Sequence, residues 1–352
     1  MSKQPKDPHS STTPRDLPRP GALNHILDVP GLKIGHAHNA AIKTGVTAIV
    51  PDTAWTCAGD VRGGGPGTRE TDLLHPSTLV QTADAVVLSG GSSWGLAAAD
   101  GVCEALGAAG RGFSLVARPG VPVSPIVPSA ILYDLANGGD KSWGREAPYK
   151  TLGSDAFDAL GEGAAIADQL GACGAGYGAM AGQERGGLGS ASVIDGELIV
   201  GALMAVNSFG SVRMPNSTCF WAWPFEYEGE FGGLRPAGDA MPAMGLPDDT
   251  KLGPVHPRTN TTIGIVAVSH GLTQSEAQRV AIMAQDGLAR AIRPVHAPTD
   301  GDVIFVLAPA PAANANPCDP VTLTRIGTHA GDCVARAIAR GVYEASRSND
   351  DR

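Results

Sequence analysis

Four short runs rich in β-branched residues constrain this chain most: residues 45–50 (GVTAIV), 85–89 (AVVLS), 261–269 (TTIGIVAVS) and 302–307 (DVIFVL). Their length and composition predict buried strands. A fifth stretch, 191–207, alternates as two strands joined by a turn at Asp195-Gly196. Ala-rich stretches at 96–106, 156–170 and 328–345 predict helices between and after them. One more helix start is explicit: Thr273 is placed to cap and Glu276 completes a capping box. Ala277, Val280, Ala281, Leu288, Ala291 and Ile292 then form one apolar face. Strand runs alternating with helices put the chain in the α/β class or a layered α+β variant. Its 352 residues are enough to bury a large core without disulfides.

Composition removes several functions. With 26 basic against 35 acidic residues and no basic block, nucleic acid and anionic membrane are excluded as partners, since both require a cationic face. No run of about 18 apolar residues exists, so a membrane-spanning helix is not expected. The six cysteines, Cys57, Cys103, Cys173, Cys219, Cys318 and Cys333, form no C-x-x-C pair. They read as reduced, mostly buried thiols of a cytoplasmic protein, with no zinc site. Residues 1–25 are polar and Pro-rich without an apolar core, which predicts a flexible arm rather than a signal peptide, with order starting near Ile26. The 47 glycines and 27 prolines call for many tight turns. They concentrate in 171–189 and in 215–257, a long segment of little periodicity that is either functional or disordered.

Three stretches carry candidate chemistry. Gly91-Ser92-Ser93-Trp94-Gly95 fits G-x-S-x-G between a strand and a helix, where Ser93 would be a nucleophile served by His256, His270, His296 or His329. The alternatives are a plain strand–helix turn or an anion site at the helix start. The glycine loop at 62–68 (RGGGPGT) lacks the Lys-Ser/Thr ending of a phosphate loop, so it speaks only weakly for a nucleotide. His36 and His38 share a strand face but have no evident third ligand, and a structural role is the plainer reading. Finally, Asn260-Thr261-Thr262 stands where the irregular segment meets a buried strand. It is either a polar junction or a self-cleavage site. In the second case the Thr261 hydroxyl attacks the preceding carbonyl and threonine becomes a new N-terminus. The new α-amine, with a pKa near 8, then serves as base for its own hydroxyl.

Several stretches, in order, resemble the P1 family of peptidases, the D-aminopeptidase and β-aminopeptidase group that includes the endo-type 6-aminohexanoate-oligomer (nylon) hydrolases. They are VPGLKIGHAH (29–38), VVLSGGSSWGLAAADGV (86–102), PIVPSAILYDL (125–135), GAGYGAMAG and GGLGSAS (174–192), MAVNSFG (204–210), NTTIGIVAV (260–268) and TDGDVIFVLA (299–308). The resemblance implies a layered αββα sandwich of the D-aminopeptidase type, autocleaved between Asn260 and Thr261 into an α chain (26–260 after the arm) and a β chain (261–352). The two would form one folded domain that assembles into tetramers. It implies that Thr261 is the nucleophile, Asn207 the oxyanion donor, Asp300 and Asp302 the pair that orients the nucleophile and its amine, and Tyr133 a residue lining the substrate site. No cofactor or metal is implied. The Asn-Thr-Thr context and the two acidic residues resemble the nylon-oligomer branch, which points to 6-aminohexanoate oligomers as substrates. Aminopeptidase action on β- or D-amino-acid peptides is the alternative. Within the family GGSSWG is a structural loop, which weakens the claim of Ser93. A Ser93 hydrolase and a non-catalytic binding protein are the readings outside the family. One departure stands out: the nylon-oligomer branch has an active-site lysine in A-G-K, and this chain reads Ala181-Gly182-Gln183, with Arg185 the nearest cation.

The residues carry an argument of their own. Thr261 opens a buried strand, which makes its position rigid. Strand alternation would place Asp300 and Asp302 on one face across Gly301, where two carboxylates can bind a hydroxyl and an ammonium. Read singly, Asp300-Gly301-Asp302 is a turn, and Asn207 is a turn residue at a strand end.

Overall fold

The computed structural model describes residues 17–238, 245–246, 248–251 and 260–347. The strands are β1 (Leu32–Asn39), β2 (Thr44–Pro51), β3 (Trp55–Val61), β4 (Thr68–Arg69), β5 (Thr82–Ala83), β6 (Val86–Ser89), β7 (Ser129–Ile131), β8 (Met180–Ala181), β9 (Glu184–Arg185), β10 (Gly187–Asp195), β11 (Leu198–Asn207), β12 (Thr261–Val268) and β13 (Val303–Ala308). The α-helices are α1 (Ala98–Ala108), α2 (Tyr149–Asp158), α3 (Ala164–Ala167), α4 (Gln274–Ala291) and α5 (Pro320–Arg347). A six-stranded sheet runs β10-β11-β12-β13-β3-β5 and a five-stranded sheet runs β1-β2-β6-β7-β4. Only β12–β13 and β6–β7 pair in parallel within these sheets.

Three apolar clusters stack the layers. Val200, Val266, Ile304 and Val306 of the six-stranded sheet meet Val280 and Leu288 of α4 and Val334 and Ile338 of α5. On the other side of that sheet, Leu203, Ile263 and Phe305 meet Ile34, Ile49 and Leu88 of the second sheet. The second sheet's outer face, through Val46, Ala48 and Val87, packs on Val102 and Leu106 of α1 and Leu152 and Ala156 of α2. The result is the αββα sandwich, and it explains the unbroken apolar runs: both faces of the central strands are covered. All eight residues of β12 are buried. At Phe305, which is fully buried, truncation to alanine would cost about 3–5 kcal/mol. The capping box predicted for α4 is present in full, with Thr273 accepting from the Glu276 N–H.

Some elements depart from the sequence expectation. The helix predicted over 156–170 is split into α2 and α3. Between them the Gly161 backbone exchanges two 3.0 Å hydrogen bonds with Ile34, so this piece joins the edge of β1 instead of coiling. Helix α5 starts eight residues before the predicted 328, on a cap in which Asp319 Oδ1 accepts from the Val321 and Thr322 N–H groups, both at 3.0 Å. Order also starts before Ile26. Arg19 exchanges backbone hydrogen bonds with Ile194 at 3.1 and 2.7 Å, Asn24 accepts from the Arg336 guanidinium at 2.8 Å, and His25 is buried. Residues 17–25 are therefore anchored to the six-stranded sheet and α5, and residues 1–16 lie outside the described residues. The same holds for His256 and for residues 252–259, which immediately precede Asn260. Among the described residues no helix is long and apolar enough to cross a membrane.

Candidate active site

The ladder between β11 and β12 sets Asn207 directly opposite Thr261. Both have the parity of Leu203 and Ile263, which point into the layer between the sheets, and both are buried. A residue that ends one strand and a residue that begins its neighbour thus share one face. The Thr261 hydroxyl donates to the carbonyl oxygen of Asn260, and the same oxygen accepts the Gly301 N–H at 3.1 Å. Asn260 is bridged in parallel to Asp300, so the turn before β13 lies alongside the Asn260–Thr261 peptide bond.

That turn carries the two acids. Strand β13 begins at Val303, and both acids lie just ahead of it, Asp300 closing a turn from Ala297 and Asp302 one residue before the strand. This segment brings the two carboxylates together. Asp302 Oδ1 accepts the Thr262 N–H at 2.7 Å, and its Oδ2 accepts the His296 N–H at 3.2 Å and meets His296 Nδ1 at 2.9 Å. Asp300 accepts from the N–H groups of Ala297, at 2.8 Å, and Phe209. Its Oδ1 is buried with no partner among the described residues. Burial and then the neighbouring Asp302 charge push the Asp300 carboxyl up to about 7, against the pull of its hydrogen bonds and of Lys251.

Between pH 3.8 and 7 the folded protein holds a proton on Asp300 that the unfolded chain has released. Stability therefore falls as pH rises through that window, by up to about 1.4 kcal/mol per pH unit. Asp300→Asn removes this dependence. Its melting temperature is expected to gain on wild type between pH about 4.5 and about 7.5, and a difference constant across the two would contradict the assignment.

The glycine loop at 62–68 has a different purpose from nucleotide binding. The N–H groups of Arg62 and Gly63 donate to the Asp302 carbonyl at 3.0 and 3.3 Å, and Gly65 donates to the Asp300 carbonyl at 2.7 Å. A Cβ at Gly63 would lie 2.3 Å from the Asp302 nitrogen, so glycine is what lets this loop buttress the acidic turn.

The Asn207 amide is fixed at both ends. Its Nδ2 donates to the Tyr133 carbonyl at 2.9 Å. Its Oδ1 accepts from Asn137 Nδ2 at 3.1 Å, the Met180 N–H at 2.9 Å and Lys251 Nζ at 3.2 Å. Tyr133 thus joins the site through its main chain. Sequence reasoning passed over Lys251, the one lysine of the 215–257 segment, as well as Gly301 as a donor and the pairing of His296 with Asp302. No periodic signal marks Lys251. Burial lowers its ammonium to about 7, opposed by the Asp300 charge. Gln183, at the A-G-K position, donates its amide to the Asp248 carbonyl at 3.0 Å, three residues before Lys251. Arg185 lies in β9, paired with Met180 of β8.

Ser93 stays apart from this constellation. It is exposed on a 3-10 turn at Ser92–Ala97, and the positive φ of a nucleophile elbow falls on Gly91 and Ser92 instead. The αββα layering is also not that of the hydrolases that use the elbow. His36 Nδ1 meets Thr47 Oγ1 at 3.0 Å and His38 stacks on Tyr177 at 4.3 Å, which gives both histidines structural roles.

Comparison with known proteins identifies the family. A family profile described as Peptidase family S58, the D-aminopeptidase and β-aminopeptidase group, matches residues 24–351. An uncharacterized aminopeptidase of Mycobacterium tuberculosis is 39% identical over 340 residues, covering 92% of this chain and 94% of the relative. A 6-aminohexanoate-oligomer endohydrolase of an Agromyces species is 30% identical over 290 residues, 80% of this chain and 74% of the relative. Among solved structures, a Burkholderia β-aminopeptidase superposes with a TM-score of 0.67 at 21% identity, covering 93% of this chain and 88% of that one. The L-aminopeptidase D-Ala-esterase/amidase of Ochrobactrum anthropi, described as a variant of the Ntn hydrolase fold, gives 0.66 at 20% identity, covering 92% and 86%. This chain belongs to Peptidase family S58 and is a hydrolase of amide bonds.

Proposed function

We propose that the chain is a precursor that severs itself between Asn260 and Thr261, and that Thr261 is then the N-terminal nucleophile of an amidase. The observation that carries this reading is the state of the Asn260 carbonyl oxygen, which takes both the Thr261 hydroxyl and the Gly301 N–H. In the first step the Thr261 oxygen attacks that carbonyl carbon and the C–N bond breaks. The hydroxyl proton passes to the departing nitrogen, leaving an ester. Water hydrolyses the ester, giving a carboxylate on Asn260 and a free amine and hydroxyl on Thr261. The products, residues 1–260 and 261–352, stay together because β12 lies between β11 and β13 in one sheet. The αβ units assemble as tetramers.

With substrate, the Thr261 hydroxyl attacks the amide carbonyl while its own α-amine takes the proton and passes it to the leaving amine. The Asn207 amide donates to the developing oxyanion, with its carbonyl end tied down by three donors. Asp302 holds the backbone after the nucleophile, and Asp300 holds the Phe209 N–H two residues past Asn207. Water then releases the acid from the acyl-enzyme.

Relatives that align along more than nine-tenths of this chain are called aminopeptidases, and they share more identity with it than the oligomer endohydrolases do. Short linear amides with a free amino terminus, including β- and D-residues, are therefore the first substrate class. Oligoamides of 6-aminohexanoate are the second reading, favoured by threonine at 261 and the two acids at 300 and 302. A panel of L-, D- and β-alanine p-nitroanilides with 6-aminohexanoate oligomers tests this. Release of p-nitroaniline or amine by the matured protein is expected, and a cleaved protein inert toward every member would contradict the reading.

Gly301 offers a further check. A Cβ there would sit 2.7 Å from Thr261 Oγ1 and 3.1 Å from the Gly65 carbonyl oxygen. Gly301→Ala is expected to displace the hydroxyl and leave the chain full length on a denaturing gel, whereas two fragments at the wild-type level would contradict that geometry.

A further inference from the structure

We propose that Lys251 is a positioning residue of the self-cleaving centre, its ammonium clamping the carbonyl end of the Asn207 side chain so that the amide N–H faces the carbonyl under attack. The inference rests on the reading of Thr261 above and extends it to a residue outside the motifs.

The argument begins at Asn207 Oδ1. An amide oxygen has two lone pairs, yet three donors converge on this one, and Lys251 brings the only full charge among them. The main-chain oxygen of Asn207 also accepts from Lys251 Nζ at 3.2 Å. One ammonium therefore grips both carbonyls of a single residue, which sets the side chain relative to its own backbone. A positive charge on the oxygen end draws electron density from the nitrogen end and strengthens its N–H as a donor.

Lys251 is itself held in place. Its N–H donates to the Phe209 carbonyl at 3.1 Å, and the Phe209 N–H donates to the Asp300 carboxylate. Residues 207–209 thus link Lys251 on one side to the acidic turn on the other. Burial of the lysine disfavours its charge and Asp300 favours it, which places its proton loss near pH 7. The titratable groups around it are Asp300, with Asp302 two residues on, His296 against Asp302, and Asp249 two residues earlier on its own segment. Below pH about 7 the clamp is charged, and above it the clamp weakens as the ammonium loses its proton.

The test follows self-cleavage, which needs no added substrate. Wild type, Lys251→Met and Lys251→Arg are translated in a cell-free system, and intact mass spectrometry follows the fragment that begins at Thr261 over time and pH. Thr261→Ala and the Lys251→Met/Thr261→Ala double variant are compared for melting temperature. The expected result is slowing of Lys251→Met by about 10- to 100-fold, the worth of a charged hydrogen bond. Lys251→Arg should stay within about threefold of wild type while losing the change near neutrality, because arginine keeps its charge there. The two melting temperatures should agree within about 3 °C. Cleavage of Lys251→Met at the wild-type rate overturns the inference. So does slowing matched by a lower melting temperature, or a Lys251→Arg variant as slow as Lys251→Met. In each of those cases the role of Thr261 stands. If wild type never cleaves at Thr261, or Thr261→Ala still does, the underlying reading fails instead.

Discussion

Thr261→Ala is expected to give one full-length polypeptide without amidase activity, where wild type is expected to give two fragments. The hydroxyl is the group in contact with the Asn260 carbonyl oxygen, and no other hydroxyl makes that contact among the described residues. Thr262, the adjacent candidate, has the opposite strand parity and presents only its main-chain N–H, to Asp302. Removing Oγ takes away both the self-cleavage step and the later nucleophile, so activity should fall by the full catalytic factor, at least about 10⁴-fold. The methyl of alanine fits within the space threonine already fills, and the fold should persist. Thr261→Ser keeps a hydroxyl and should still mature. Cleavage at Asn260 in Thr261→Ala would contradict the assignment.

The second large effect is expected at Asn207. In matured protein, Asn207→Ala should lower kcat by about 10²- to 10³-fold, as loss of one oxyanion donor does elsewhere, with KM changed much less. The contact strengthens only as the carbonyl oxygen gains charge, which is why the loss falls on turnover. Alanine also strands the donors of Asn137, Met180 and Lys251, so a second variant separates donation from support. Asn207→Asp keeps an acceptor for all three but replaces the N–H with a charge that repels an oxyanion, and it should be at least as slow. An Asn207→Asp protein with wild-type turnover would contradict the role.

These residues were legible in the sequence to different degrees. Strands β12 and β13 and helix α4 follow from apolar runs and a capping box, signals set within a few residues. Thr261 is visible at the start of a buried strand, and the resemblance to the family motif is what nominates it as a nucleophile. The facing of Asn207 and Thr261 is not visible, because 54 positions separate them in sequence and only the β11–β12 register brings them together. Asp300 and Asp302 were legible as a pair leading into a strand, but that the strand itself starts only at Val303 was not. The loop at 62–68 shows how a glycine pattern misleads, since glycines that admit a phosphate and glycines that admit a neighbouring backbone look alike. Lys251 was the hardest to see. It lies in a segment without periodicity, and its contacts are set by tertiary packing alone.

Intact mass spectrometry of purified, active wild-type protein bears most directly on the central claim. The account predicts two species, one of which begins Thr-Thr-Ile-Gly and ends at Arg352. A single uncut polypeptide that hydrolyses amides would contradict it.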